Sequence, residues 1–181
     1  MEINPSSVVD ILTLRYDPSI KPNLPIKTWK DFQPTIHSPN ISQIEKSICN
    51  YIQQKLEKFQ DEKVSIALSG GVDSTLVLSL LRKIKPEINI NAISVRFADS
   101  IDETSAAAKI AEKFDVEHHI VNLENYLSEL PKAISMIKMP FWDLHWYYVV
   151  KKSQTLSKVL ISGDGGDELF GGYTFRYEKF L

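Results

Sequence analysis

A chain of 181 residues, 43% hydrophobic and 24% charged, suits one domain that buries roughly two thirds of its unfolded surface, which excludes a disordered or fibrous protein. A formal net charge of −2 gives no reason to expect a nucleic-acid partner. No run approaches the roughly 18 apolar residues of a membrane span, and Met1 to Asp10 lacks a charged-then-apolar secretory pattern, so the expectation is a cytoplasmic protein with no membrane partner.

Six of the nine prolines fall in the first 39 residues, where no clear periodicity persists, so 1–40 reads as an extended lead-in and 41–181 as the domain proper. From Ser42 the pattern turns helical: Ser42 and Glu45 have capping-box spacing, and Ile44, Ile48, Ile52, Leu56 and Phe59 recur at the helical interval, predicting a helix of roughly 17 residues. Cys49, the single cysteine, falls among these isoleucines and reads as a core thiol that has no internal disulfide partner. Val64 to Leu68 is a short apolar run, predicted as a strand, and Ser74 to Lys85 is a helix stopped by Pro86. Ile90 to Val95, Thr104 to Phe114 and Val116 to Leu123 repeat the alternation as strand, helix and strand. A helical region interrupted by Pro131 and Pro140 follows, then a helix over Leu144 to Leu156 and a strand over Lys158 to Ser162. The alternation predicts an α/β fold, an open, mostly parallel twisted sheet with helices on both faces.

Within these elements most polar and aromatic residues read as structural. His118 and His119 are neighbours on a strand and face opposite sides, so they do not share a metal. Trp142, Trp146, Tyr147 and Tyr148 read as core and helix packing, with a base-stacking platform as the alternative, and Lys151 and Lys152 as a solvated face. Asp143 either caps the helix that follows it or reaches the cleft.

Only seven residues are Gly, against roughly 13 at an average usage of about 7%, and they fall at 70, 71, 163, 165, 166, 171 and 172. Both clusters follow the carboxyl end of a predicted strand, the edge at which open α/β sheets bind ligands where strand order reverses. The two loops are therefore expected to be neighbours in one cleft. In the first, Ser69-Gly70-Gly71-Val72-Asp73-Ser74-Thr75, two glycines let successive N–H groups point outward at a helix N-terminus, and the hydroxyls add donors, which makes an anion cradle. It is not a Walker A loop, since the chain has no Gly-Lys pair. A carboxylate, Asp73, inside an anion site fits a divalent cation bridging it to phosphate oxygens. The alternative is an ordinary turn in which Asp73 and Ser74 cap the helix.

The second loop, Ser162 to Tyr173, packs five glycines and three acids into twelve residues. Acids beside an anion site repel phosphate unless a cation mediates, which makes Asp167 a second candidate metal ligand with Asp73. A solvated acidic turn or a calcium loop are the alternatives, although the spacing does not fit an EF-hand.

The string S-G-G-V-D-S-T resembles the pyrophosphate loop of the N-type ATP pyrophosphatases, S-G-G-x-D-S, and S-G-D-G-G-D-E-L-F-G-G-Y resembles the signature of the asparagine synthetase family, the glutamine-hydrolysing type with its β-lactam synthetase relatives. The likeness runs from about Ile41 to Tyr173; Leu12 to Pro18 resembles the segment leading from that family's glutaminase domain into its synthetase domain, and Pro140-Phe141-Trp142-Asp143 a P-F-x-D stretch of many members. The resemblance implies an adenine nucleotide alpha hydrolase-like fold that uses ATP and Mg²⁺. By similarity Ser69, Gly70, Gly71, Asp73 and Ser74 hold the pyrophosphate portion of ATP, Ala67 or Leu68 and Val95 contact the adenosine, and Ser162 and Gly163 approach the nucleotide from the other loop. Asp73 and Asp167 hold Mg²⁺, and Asp164 matches an acidic position near the acyl-adenylate, here the candidate catalytic residue. The implied chemistry is attack of an aspartate side-chain carboxylate on the α-phosphorus, release of pyrophosphate, and amidation by ammonia.

Two departures from the family pattern bear on partners. Members with their own ammonia supply begin with a nucleophilic Cys, whereas this chain begins Met1-Glu2-Ile3, so ammonia is expected free or from a separate glutaminase. The family's synthetase domain continues past the Tyr173 position with a helical portion that carries a catalytic Lys, so a complementing carboxyl-terminal subunit is the other expected partner. Two competing functions remain: the same adenylating core acting on another carboxylate or a tRNA base, and an ATP-binding module that works only within an assembly.

Overall fold

The computed structural model describes residues 4–14, 19, 40–59, 63–97, 102–125, 127–137, 145–170 and 172. The first element departs from expectation, since the chain starts with a helix, α1 (Pro5–Leu14), and not in extended form. Asn4 Oδ1 accepts the Ser6 N–H at 3.0 Å, and Pro5 sits at the first helical position, where its missing N–H costs nothing. Residues 20–39, which hold most of the prolines of the expected lead-in, lie outside the described residues. Helix α2 (Ile41–Phe59) is capped by Asn40 and not by Ser42: Asn40 Oδ1 accepts the Ser42 N–H at 3.0 Å and the Gln43 N–H at 3.4 Å.

From there the alternation runs as read: β1 (Lys63–Ala67), α3 (Val72–Ile84), β2 (Asn89–Phe97), α4 (Thr104–Lys113), β3 (Glu117–Leu123), α5 (Leu130–Ile137), α6 (His145–Ser153), β4 (Leu160–Ile161) and α7 (Gly166–Phe170). Three details differ. Strand β4 is two residues long, shorter than the predicted Lys158 to Ser162. Helix α7 winds up part of what read as a loop, and Pro131 does not interrupt α5 but stands at its second position.

The four strands form one parallel sheet in the order β3-β2-β1-β4. Chain progress runs from β1 outward to β3 and then returns to the far side of β1, so the order reverses between β1 and β4. Right-handed crossovers then place α3 and α4 on one face and α6 on the other. The burial agrees. Ile52 and Leu56 of α2, Leu78 and Leu81 of α3, and Ala107 and Ala111 of α4 form one cluster with Val64, Ile66, Ile90 and Ala92 of the strands, against which Cys49 packs. Ile93, of opposite strand parity, is 1% exposed but stands outside that cluster, as do the buried Tyr148 and Val149 of α6.

Two polar devices hold the layers in place. The Arg82 guanidinium donates to four carbonyls, those of Phe114 (3.1 Å), Pro86 (2.7 Å), Ile88 (2.9 Å) and Asp115 (2.7 Å), tying the end of α3 to the turns before β2 and β3. Ser65 Oγ meets Ser157 Oγ at 2.7 Å and the Ser65 N–H donates to Val159 O at 2.8 Å, which anchors the short β4 beside β1.

Candidate functional site

Because the order reverses between β1 and β4, the two glycine loops leave adjacent strands at the same sheet edge. Their backbones touch. A Cβ at Gly163 would lie 2.8 Å from both the Asp73 carbonyl carbon and the Ser74 nitrogen, so this approach requires glycine. The Asp73 carboxylate rests against the backbone of Gly166, whose added Cβ would stand 2.7 Å from its Cγ.

In the first loop Gly70 has φ +82°, the conformation that favours glycine there. Gly71 is the N-cap of α3 with extended backbone and no side-chain capping bond. Asp73 and Ser74 are inside the helix and are not its caps. The hydroxyls organise the loop: Ser69 Oγ and Ser74 Oγ are 3.2 Å apart, Ser69 Oγ accepts the Gly71 N–H at 3.3 Å, and Thr75 Oγ1 donates to Gly71 O at 2.6 Å. The amides of the first turn of α3 thus have no side-chain cap and point along the helix axis with its positive end.

Between the loops opens a cleft of about 390 Å³. Of the sequence-predicted residues it is lined by Ala67, Leu68, Ser69, Asp73 and Ser74 from the first half, by Val95 from β2, and by Ser162, Gly163 and Asp164 from the second loop. Gly70 and Gly71 are not in the lining. Asp167 is not there either: it lies at the second position of α7, half-buried, with its Oδ1 beside the Gly172 backbone, in the residue next to the glycine that touches Asp73. Pro140, Phe141, Trp142, Asp143, Gly171 and Tyr173 lie outside the described residues.

The lining also includes Ile93, Ser94 and Phe97 of β2, Glu103 and Thr104 at the start of α4, and His145, Trp146 and Val149 of α6, none of which is among the sequence-predicted site residues. Trp146, which reads from sequence as packing before base stacking, borders the cleft, half-buried, with the His145 ring centroid 5.5 Å from its own. Nothing in the periodicity separates a helix-start aromatic that packs from one that faces a cleft. Thr104 had a local signal in Asp102, two residues earlier: Asp102 Oδ1 accepts from the Thr104 N–H at 3.0 Å and its hydroxyl at 2.5 Å. The hydroxyl bond holds the Asp102 carboxyl below the usual carboxylate range. On the remaining aromatics, Tyr148 is buried as read, while the Tyr147 hydroxyl donates to Glu129 (2.8 Å), which Lys151 also pairs at 2.7 Å. Lys151 is therefore an ion-pair partner as well as a surface residue.

His118 and His119 face opposite sides of β3, as expected. His119 Nε2 is 3.1 Å from Asn91 Oδ1 and His118 Nε2 is 2.8 Å from Ser94 Oγ. Burial, with His119 nearby, lowers the His118 pKa from the ordinary histidine value. Among the described residues no group of three or more His, Cys, Asp or Glu is placed to hold a metal ion, and no helix is long and apolar enough to cross a membrane.

Known proteins resemble the chain in sequence and in fold. The sequence profile described as asparagine synthase matches residues 54–181. Asparagine synthetase [glutamine-hydrolyzing] 1 of Bacillus subtilis (strain 168) is 32% identical over 124 residues, 65% of this chain and 19% of the relative. A putative asparagine synthetase [glutamine-hydrolyzing] 2 of Methanocaldococcus jannaschii is 31% identical over 148 residues, 79% of this chain and 28% of the relative. The chain thus spans well under a third of either relative. Among solved structures, glutamine-dependent NAD+ synthetase from Acinetobacter baumannii in complex with adenosine diphosphate superposes with a TM-score of 0.57 at 17% identity, over 78% of this chain and 29% of that one. At that identity the likeness is one of fold.

Proposed function

The chain belongs to the asparagine synthase family, and from that premise we propose that it binds ATP with Mg²⁺ in the cleft between its two glycine loops and serves as the nucleotide-activating part of an amide-forming ligase. The observation that carries this reading is the contact of Gly163 with the Asp73–Ser74 backbone: two loops far apart in the sequence close on one carboxylate and one uncapped helix start. An uncapped α3 with Ser69 and Ser74 hydroxyls beside it fits a pyrophosphate group, and glycine at 163 and 166 leaves that space without side chains.

Mg²⁺ would be held by Asp73, which lines the cleft, and by Asp167, which stands next to the Gly166 that Asp73 touches; a metal of this kind commonly takes one or two protein carboxylates together with substrate phosphates. What it would supply is charge neutralisation on the phosphates. The chain's own groups do the rest: the α3 amides orient the β- and γ-phosphates, and the adenosine lies along β1 and β2, near Leu68 and Val95. Asp164, exposed on the cleft wall, stands where an acyl-adenylate would form from the aspartate carboxylate. The acceptor pocket and the ammonia supply belong to the remainder of the ligase, on the same polypeptide or on a separate glutaminase or complementing subunit.

Incubation of the chain with ATP, Mg²⁺, aspartate and ammonium, followed by assay for AMP, pyrophosphate and asparagine, tests the reading. Binding of ATP with no AMP formed assigns the chain to the activating half of a site completed elsewhere. No Mg²⁺-dependent ATP binding at all would sink the proposal. Asp73→Asn and Asp167→Asn are each expected to weaken Mg²⁺-dependent ATP binding by tenfold or more, about the loss of one metal-ligand interaction, as read by calorimetry.

A further inference from the structure

Strands β1 and β2 pair as far as Ala67 and Ile93, and the Leu68 N–H still donates to Ile93 O at 2.9 Å. The next rung of a parallel ladder would run from the Val95 N–H to Leu68 O. It is not made. The Leu68 carbonyl instead accepts the Ser94 hydroxyl at 2.5 Å. Since that hydroxyl has one proton and has given it to Leu68, Ser94 Oγ is an acceptor towards His118, whose Nε2 lies 2.8 Å away and so carries the proton. Ladder alternation turns the Val95 N–H and C=O towards β1, on the side where the ladder has stopped, and both Leu68 and Val95 border the cleft. Ser94 is 5% exposed, a buried polar side chain inside a strand otherwise rich in apolar residues. Packing gives no reason for a hydroxyl there.

We propose that Ser94 and His118 are positioning residues for nucleoside binding: Ser94 takes the Leu68 carbonyl out of the β1–β2 ladder and so leaves the Val95 amide for an acceptor on the base, while His118 holds the Ser94 hydroxyl in that direction. This role rests on the reading of the cleft as an ATP site. Ser94 itself borders the cleft, but its hydroxyl is committed to Leu68 O and His118 Nε2. The effect of Ser94 and His118 passes through the main chain of Leu68 and Val95, which presents a donor and an acceptor side by side, a match for a base edge with a ring nitrogen next to an exocyclic amine.

The test compares wild type with Ser94→Ala, His118→Leu and His118→Gln, measuring affinity for ATP and, separately, for inorganic pyrophosphate, both with Mg²⁺. Exchange of the Val95 amide is followed by NMR without ligand, and far-UV circular dichroism checks folding. In Ser94→Ala the rung from Val95 to Leu68 forms, so Val95 exchange slows by about tenfold or more and ATP affinity falls about tenfold, with pyrophosphate affinity unchanged. His118→Leu shows the same direction. His118→Gln, whose amide N–H replaces the Nε2 donor, restores ATP affinity. A wild type that binds ATP while Ser94→Ala keeps both ATP affinity and Val95 exchange would overturn the positioning role alone. If wild type binds pyrophosphate but not ATP, the nucleoside reading falls and this role falls with it.

Discussion

Gly163 shows how much of the cleft depends on the absence of one carbon. Its Cα is held against the Asp73–Ser74 backbone, which has no side-chain freedom with which to yield. Gly163→Ala is therefore expected to force the two loops apart, lowering stability by about 1–3 kcal/mol and ATP affinity together; urea unfolding and calorimetry on the same variant check both. Such a residue was legible from sequence because glycine is scarce here and its clusters stand out. Ser94 was not. It read as one position in an apolar run, and its meaning depends on the backbone rung it displaces, which no local pattern encodes. The same limit applies to Trp146, where a helix-start aromatic became a cleft wall only once α6 was packed on β2.

At the scale of elements, the order and kind of most helices and strands followed from periodicity and punctuation, while the termini followed capping chemistry that the pattern only partly declared. The Asn4-Pro5 and Asn40 caps each lay just after or before a proline, and those prolines drew attention to irregular backbone more than to the helix beginning there. Sheet order was not legible in the sequence; only the nearness of the two glycine loops was, from the rule that ligand loops gather where strand order reverses, and the pairing of β1 with β4 agrees with it. Arg82 is the clearest device joining elements, with four carbonyls on one guanidinium. Arg82→Lys keeps the charge but loses the planar fork, and leaves carbonyls at two turns without a donor. A loss of about 1–3 kcal/mol in urea unfolding is expected, with ATP affinity in the folded variant little changed.

For the whole molecule, His118 links stability to pH. Burial lowers its pKa in the fold, so between the folded and unfolded values the unfolded chain binds a proton that the native one does not. Its contribution is therefore full above about pH 6.5 and is lost as pH falls through the lowered folded value. Thermal midpoints measured from pH 8 down to pH 5 should fall below the histidine range, with a shallower fall in His118→Gln; an identical slope in both would show that the loss arises from other groups.

Strand β4 pairs through two registered positions, Ser65 with Leu160 and Ile66 with Ile161, across more than ninety residues of intervening chain. The closing of that long loop must come before its few contacts reward it. During synthesis, then, the first three strands and their helices have local partners as they emerge, whereas the cleft between the glycine loops lacks its second-loop wall until residues near 166 are available. A nascent chain stalled at residue 150 should be able to build the larger core yet retain no ATP; under the proposed function, nucleotide capture would then be a late event in the life of each molecule and a readout of whether β4 has docked.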